Sequence, residues 1–446
     1  MSTGVILLSY GLAGVLLDRT GGFYDRTVPI FALGLMAAVA AMLRDPRPAG
    51  AVIFRRLGAG VYVVFTALIV LNHSIHLSDS GALTAMNAVT RTALAIGAPL
   101  ALLLVPAGLP PRGRRAFRWL AAASVGLLVA WQILIPFMSP HPGVDVLSSN
   151  TAATNYFLRG INPYVVQYPD IYNGKYQYEP GFLYFPGALF LYAPMRLFGG
   201  DIRLVHAFAN IVSAAAVAAV AMQQRMAERT VWLMTLLWLA LPITGFVIEQ
   251  AWIDILLVPC VFWAIWAIGR RDWILTGVLC GIALALKQYA GIAVAPLLLL
   301  ILRQAGWRAA AQAAAIAAGI AAALILPMAL LDWTAFVHST IAGHLDAPVR
   351  RDAYNVTIYL YRQYHWLLSP GARLTLAAIG GLGGTAWLAL KPQPDRRDAL
   401  AAMSLILAAS TLFGKWAFCN YYYWLASFML LYIVMSVRTD DASLLH

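Results

Sequence analysis

LAAASVGLLVAWQILIPFM, residues 120–138, decides the fold. It is apolar on every face, so it cannot be a barrel strand, in which apolar and polar positions alternate. As a helix it rises about 28 Å, close to the ~30 Å hydrocarbon core of a bilayer. Comparable runs recur along a chain of 446 residues that is 61% hydrophobic and only 11% charged, where about a quarter charged is usual. The pattern predicts an all-α polytopic membrane protein with about 14 transmembrane helices. The runs lie at 4–17, 28–43, 57–72, 92–109, 119–138, 204–222, 231–248, 255–269, 273–286, 289–302, 309–331, 372–390, 399–412 and 421–437. The first, GVILLSYGLAGVLL, has no basic segment before it and no small-residue cleavage site before Asp18. It reads as a retained span rather than a signal peptide.

The formal net charge of +12 invites a nucleic-acid partner. The arginines, however, sit in short clusters between spans, which positive-inside sorting explains and one basic binding face would not. Cys260, Cys280 and Cys419 fall in or beside apolar runs without metal-binding or CxxC spacing, and read as packing residues. There is no P-loop, no GxGxxG entering a helix and no HExxH, so nothing points to ATP hydrolysis, a dinucleotide or a zinc protease.

Sidedness turns on GFLYFPGALFLYAPMRLF, residues 181–198. If it spanned, the basic loops 223–230, 270–272, 303–308 and 391–398 would fall outside, against the positive-inside rule. If it lies in the interface or dips in and returns, those loops join 44–56 and 110–118 on the cytoplasmic side. Pro186, Pro194 and many aromatic residues also suit an interfacial helix. The other face then begins with SPHPGVDVLSSNTAATNYFLRGINPYVVQYPDIYNGKYQ, residues 139–177, a polar loop of the length that usually carries function. It also collects Arg159, Glu179, Glu249, Gln250, Asp254, Lys287, Gln288, His344, Asp346, Arg350, Arg351, Asp352, Lys415 and Asn420 in outer loops or at outer span ends. Ionisable groups near membrane depth persist mainly where partners or water meet them, although a lysine such as Lys287 can also simply snorkel to the headgroups.

From about Trp119 onward the order of motifs resembles a GT-C glycosyltransferase, most closely family 87, which includes polyprenol-phosphate-mannose-dependent mannosyltransferases. A span is followed by Asp145 and then by LRGINPY (158–164), similar to the family's acidic residue, short helix and Gly-x-Asn-Pro-Tyr turn. EQAWIDILLVPCVFWAIWAIGRRDWILTGVLCGIALALKQYAGIAVAPLLLLILR (249–303) resembles its Gln loop, span, basic turn, span, Lys, span signature, and FGKWAFCNYYYWL (413–425) its late Lys-x-x-Phe-x-Asn-Tyr-Tyr segment. Two departures stand out. Asp145 lacks an adjacent second carboxylate, and Tyr178-Glu179-Pro180 stands where the family has Tyr-Pro-Pro. The resemblance implies a GT-C-like core over 119–437, in which 139–203 form a long extracytoplasmic loop with interfacial helices. Residues 1–118 then form an extra N-terminal region of four helices, and 438–446 a cytoplasmic tail.

The resemblance further implies inverting transfer of a sugar, mannose or another hexose, from a polyprenyl phosphate to a lipid-linked or cell-envelope glycan acceptor. The reaction would occur at the outer face of a plasma membrane; the Ala- and Arg-rich sequence is consistent with a bacterial one. Partners are then the donor, a glycolipid or glycan acceptor and membrane lipids, with no nucleic acid and no cofactor indicated. Such a reaction needs a base for the acceptor hydroxyl and fixed positive charge for the departing phosphate. Asp145 is the first choice for the base, with His344 assisting it; equally, Asp145 could cap the helix that follows. Lys287, Arg350, Arg351 and Lys415 are candidates for the phosphate, while Asp346 or Asp352 could instead hold the arginines in structural ion pairs. Arg159, Tyr164, Glu179, Gln250, Asp254, Gln288 and Asn420 are candidate substrate contacts, and Trp252, Tyr168, Tyr172, Tyr176 and Tyr178 could stack on sugar rings or merely populate the interface. Asn162 and Pro163 read as turn residues. Two rivals share the hydropathy. A polyprenyl-lipid transporter should show inverted repeats, and none is found; an O-antigen ligase or polymerase would rely on loop arginines instead of Asp145.

Overall fold

The computed structural model describes residues 3–44, 51–71, 75–76, 80–106, 109–176 and 181–437. Its order is α1 (Thr3–Thr20), α2 (Val28–Leu43), α3 (Ala51–Leu71), α4 (Ser80–Leu104), α5 (Pro111–Met138), α6 (Asp145–Leu158), α7 (Gly187–Leu197), α8 (Arg203–Gln223), α9 (Glu228–Leu239) and α10 (Thr244–Glu249). It continues with α11 (Asp254–Gly269), α12 (Trp273–Leu286), α13 (Gly291–Ala305), α14 (Trp307–Ala329), α15 (Trp333–Val337), α16 (Gly343–Asp346), α17 (Val356–Tyr364), α18 (Pro370–Leu390), α19 (Arg396–Leu412) and α20 (Cys419–Ser436). Among the described residues there is no strand, only an isolated bridge between Phe23 and Ala353.

Among the described residues, seven helices are long and apolar enough to cross a membrane, including α5, α8, α14 and α18. The expected figure of about 14 is higher because it counted apolar runs, not helix lengths. α2, α11 and α12 are apolar but have 16, 16 and 14 residues. The run 231–248 is not one helix: α9 stops at Leu239 and α10 starts at Thr244, with Pro242 between them, which has no backbone N–H to continue a helix. α3 begins at Ala51 and α4 covers 80–104 instead of 92–109. Both carry polar residues, Arg55 and Arg56 in one and Asn87 and Arg91 in the other, that bounded the apolar runs without ending the helices. Within 181–198 the only helix is α7, whose 11 residues rise about 16 Å, half of what a span requires. The tail 438–446 lies outside the described residues.

Apolar helices in lipid gain little from burial against each other, so close approach of small residues holds them together. α12 and α14 meet at such a seam: an added Cβ on Gly277 or Gly281 would lie 2.7 Å from the carbonyl oxygen of Ala313 or Ala317. Gly281→Leu is therefore expected to destabilise the protein by about 1–3 kcal/mol through overpacking. Thermal unfolding in detergent measures this, and an unchanged midpoint would contradict the seam.

A buried polar chain ties four further helices together. The Tyr423 hydroxyl donates to Asn210 Oδ1 at 2.7 Å, Asn210 Nδ2 to Gln132 Oε1 at 2.9 Å, and Gln132 Nε2 to the Leu239 carbonyl at 3.2 Å. The first helices share this core: Tyr10 donates to the carbonyl of Leu237, and Tyr432 of α20 to that of Met42. Helices α1 to α4 thus pack into the same apolar body as most of the later helices.

Candidate active site

A cavity of about 580 Å³ opens where the start of α6, the 168–172 and 183–184 loops, the α10–α11 link, residues 287–289, the 340–345 turn and the 414–421 segment converge. Its wall is mostly apolar, with Asp145, Gln250, Lys287, Gln288, His344, Arg350, Lys415 and Asn420 among the polar groups.

Asp145 is the first residue of α6, a position where helix-dipole charge favours a carboxylate. Val144, not Asp145, occupies the cap position, and no side chain caps this helix. The Asp145 Oδ1 accepts from the Val146 N–H at 2.9 Å and from the Tyr172 hydroxyl at 3.3 Å. Burial and the neighbouring charge of Asp145 push the Tyr172 hydroxyl well up, so it remains a donor to the carboxylate.

Lys287 ends α12, where the chain turns extended before α13. Its Nζ donates to Asp254 Oδ2 at 2.7 Å; the lysine is 5% exposed and the aspartate 0%. The same carboxylate accepts from Asn420 Nδ2 at 2.8 Å and from the Tyr289 hydroxyl. Three rings surround the ammonium, with centroids 4.6 Å (Tyr289), 5.3 Å (Tyr184) and 5.4 Å (Tyr421) away. Lys287 therefore does not snorkel. Its charge is met by one carboxylate and three π-faces, contacts that desolvation makes stronger.

The other cations differ in how much charge they leave available. The guanidinium of Arg350 holds Asp352 in a fork at 2.9 and 2.8 Å and lies 3.7 Å from the Tyr176 ring centroid and 4.8 Å from that of Phe418. Burial raises the Asp352 carboxyl, but the bonds and charge of Arg350 outweigh it and hold the group below its ordinary range. Lys415 donates to the carbonyls of Leu345 and Ala347 at 3.0 and 2.7 Å, tying the 343–347 turn to the 414–421 segment. Carbonyls orient an ammonium without cancelling its charge, so Lys415 retains more of its field in the cavity than Lys287 or Arg350.

His344 and Gln288 converge on one carbonyl. His344 Nε2 lies 3.0 Å from the Leu183 oxygen, and Gln288 Nε2 donates to the same oxygen at 2.7 Å and to that of Thr340 at 2.8 Å. A carbonyl only accepts, which assigns the proton to Nε2 and leaves Nδ1 as an acceptor. Burial, helped by Lys287 and Lys415, lowers the His344 pKa. The ring is a neutral hydrogen-bonding group at neutral pH.

Several expected contacts fall elsewhere. Arg159 caps the far end of α6, about 20 Å along the helix from Asp145, is exposed and does not line the cavity. LRGINPY is a turn, in which Asn162 Oδ1 accepts from the Tyr164 N–H. Tyr164 packs with Phe182 and Phe336 in a second apolar cluster and donates to the Tyr184 carbonyl at 2.8 Å. Asp254 sits behind Lys287 rather than in the cavity wall, and Arg351 lines an adjoining groove. Glu179 and Tyr178 lie outside the described residues. Glu249 is wholly buried, accepting from Ser139 at 2.6 Å, His76 and Gln250.

The wall also contains residues not singled out from the sequence. Tyr184, Tyr289 and Tyr421 come from three separated segments, and nothing in their spacing announces a shared cage. Phe23 arrives from the α1–α2 turn, flanked by Phe246 and Phe418 at 6.4 and 5.6 Å. Gly22 (φ +72°) permits this, since a Cβ there would overlap the backbone nitrogen of Cys419. Ala251, between Gln250 and Trp252, also has positive φ, 56°, at a cost of about 1–2 kcal/mol for a residue with a Cβ. Among the described residues, no group of three or more His, Cys, Asp or Glu side chains is placed to hold a metal ion.

Among known proteins, the family model for glycosyltransferase family 87 matches residues 182–417, more than half of the chain. The matched stretch includes Lys287, His344, Arg350 and Lys415 and begins after Asp145. No curated protein matches the chain at a significant level.

Proposed function

Because the chain belongs to glycosyltransferase family 87 and is a multi-pass membrane glycosyltransferase, we propose that its cavity transfers mannose or another hexose from a polyprenyl phosphate to a lipid-linked or cell-envelope glycan acceptor. One observation carries this: a single mostly apolar cavity contains the Asp145 carboxylate together with Lys415, Lys287, Arg350 and neutral His344. The polar loops that build it are those the positive-inside argument assigns to the extracytoplasmic face of a plasma membrane. The core of the enzyme is 119–437, and the α1–α2 turn adds the Phe23 wall.

In the proposed reaction Asp145 accepts the proton of the acceptor hydroxyl as that oxygen bonds to the sugar's anomeric carbon. The bond from that carbon to the phosphate oxygen breaks with inversion, and the electron pair leaves on the phosphate. Tyr172 holds the carboxylate in place through its hydroxyl. The phosphate gains charge as it departs, so a fixed cation helps most at that moment. Lys415 is the principal one, Lys287 and Arg350 being engaged by Asp254 and Asp352. His344 Nδ1 can accept from a sugar hydroxyl.

The test supplies protein in liposomes with labelled polyprenyl-phosphate mannose or with nucleotide-activated mannose, and follows the label into lipid-linked or released sugar. Turnover of the polyprenyl donor alone is expected, and Lys415→Gln should lower it by about 10²–10³-fold. Use of the nucleotide sugar instead, or full activity in Lys415→Gln, would contradict the donor and the role of Lys415.

A further inference from the structure

Beside the transfer cavity lies a second concavity of about 700 Å³, and Arg350 lines both. It is strongly cationic: Lys175, Arg350, Arg351 and Arg362 line it, against one carboxylate, Asp352, among its described lining residues. That carboxylate is already held in the fork of Arg350. The remaining three cations are positioned by rings and a carbonyl. Lys175 lies 5.1 Å from the Tyr176 ring centroid, and Arg351 lies 5.2 Å from that of Tyr361. Arg362 is 5.4 Å from the Tyr24 centroid and donates through Nε and Nη2 to the Arg351 carbonyl at 3.2 and 3.1 Å.

Such contacts fix the direction of a charge without neutralising it. Two segments distant in sequence, 175 and 350–362, thus bring three positive charges with no ion-pair partner among the described residues into one groove. Its volume is within the range of small-molecule sites, and guanidinium forks match phosphate oxygens two at a time.

We infer that this groove binds a phosphate-bearing headgroup, and that it is the acceptor side of the enzyme. The stack of Tyr176, Arg350 and Phe418 separates it from the cavity holding Asp145, so an acceptor anchored there by its anion lies next to the proposed base. The acceptor role rests on the glycosyl transfer proposed above; the anion site does not.

The test is titration calorimetry on the full chain in phosphatidylcholine nanodiscs, with inorganic pyrophosphate and dioctanoyl phosphatidic acid as probes and dioctanoyl phosphatidylcholine as the zwitterionic control. Both anions, or the lipid anion alone for a headgroup site, are expected to bind; pyrophosphate alone would indicate a soluble source of the same chemistry. R351Q/R362Q should weaken binding by about tenfold or more, and R351K/R362K should retain most of it. Equal binding of the zwitterionic lipid, no binding of either anion, or unchanged affinity in R351Q/R362Q would overturn the site. Anion binding without any sugar transfer would keep the site and remove only its acceptor role.

Discussion

Lys287→Met is expected to destabilise the protein by about 3–5 kcal/mol, because it leaves the Asp254 carboxylate buried without its cation. The magnitude follows from burial: the pair is 2.7 Å apart, and neither side chain is more than 7% exposed. Solvent therefore screens little of the loss. Asn420 and Tyr289 would continue to donate to the carboxylate, yet neutral donors cannot replace an ammonium. Adding Asp254→Asn to Lys287→Met removes the stranded charge while preserving the shape of the acid. The double variant should recover most of the stability but not the full rate of transfer, since the cavity wall still lacks the Lys287 ammonium while Lys415 remains. Denaturation midpoints in detergent and sugar transfer on the same preparations separate the two effects. A single variant as stable as the parent, or a double variant with the full rate of transfer, would contradict the joint structural and electrostatic role of the pair.

Much of the helical frame was legible because lipid imposes one rule on every span, an apolar run long enough to cross. That rule falters where a helix carries polar residues into the bundle. Arg55 is 2% exposed within α3, and an apolar-run reading begins only after it, at residue 57. It falters again at Pro242, where hydropathy continues but the helix does not. The α12–α14 seam was written in the sequence as small residues four apart, Gly277 with Gly281 and Ala313 with Ala317, but which helix faces which is a tertiary fact.

The site divided along similar lines. Asp145, Lys415 and His344 line the cavity as their outer-loop placement suggested. Of the two alternatives for Arg350, the structure shows the ion pair with Asp352, two residues on. Arg159 and Tyr164 were drawn in by LRGINPY, whose turn geometry points the arginine outward and the tyrosine into an apolar cluster. The cage around Lys287 was illegible because its rings come from residues 184, 289 and 421, which only the fold brings together.

Asp145→Asn carries the largest expected effect on catalysis alone. One carboxylate oxygen is exchanged for an amide nitrogen of nearly equal size, so α6, Tyr172 and the cavity wall should persist while the group loses its capacity to take a proton. General-base catalysis contributes about 10²–10⁴-fold, and transfer should fall by that factor with donor affinity little changed. The measurement is single-turnover transfer of labelled mannose from polyprenyl phosphate by wild type and Asp145→Asn in liposomes, with donor binding followed in parallel. A fall of that size at equal donor occupancy is predicted; transfer at the wild-type rate by Asp145→Asn would contradict the assignment of the cavity's carboxylate as the base.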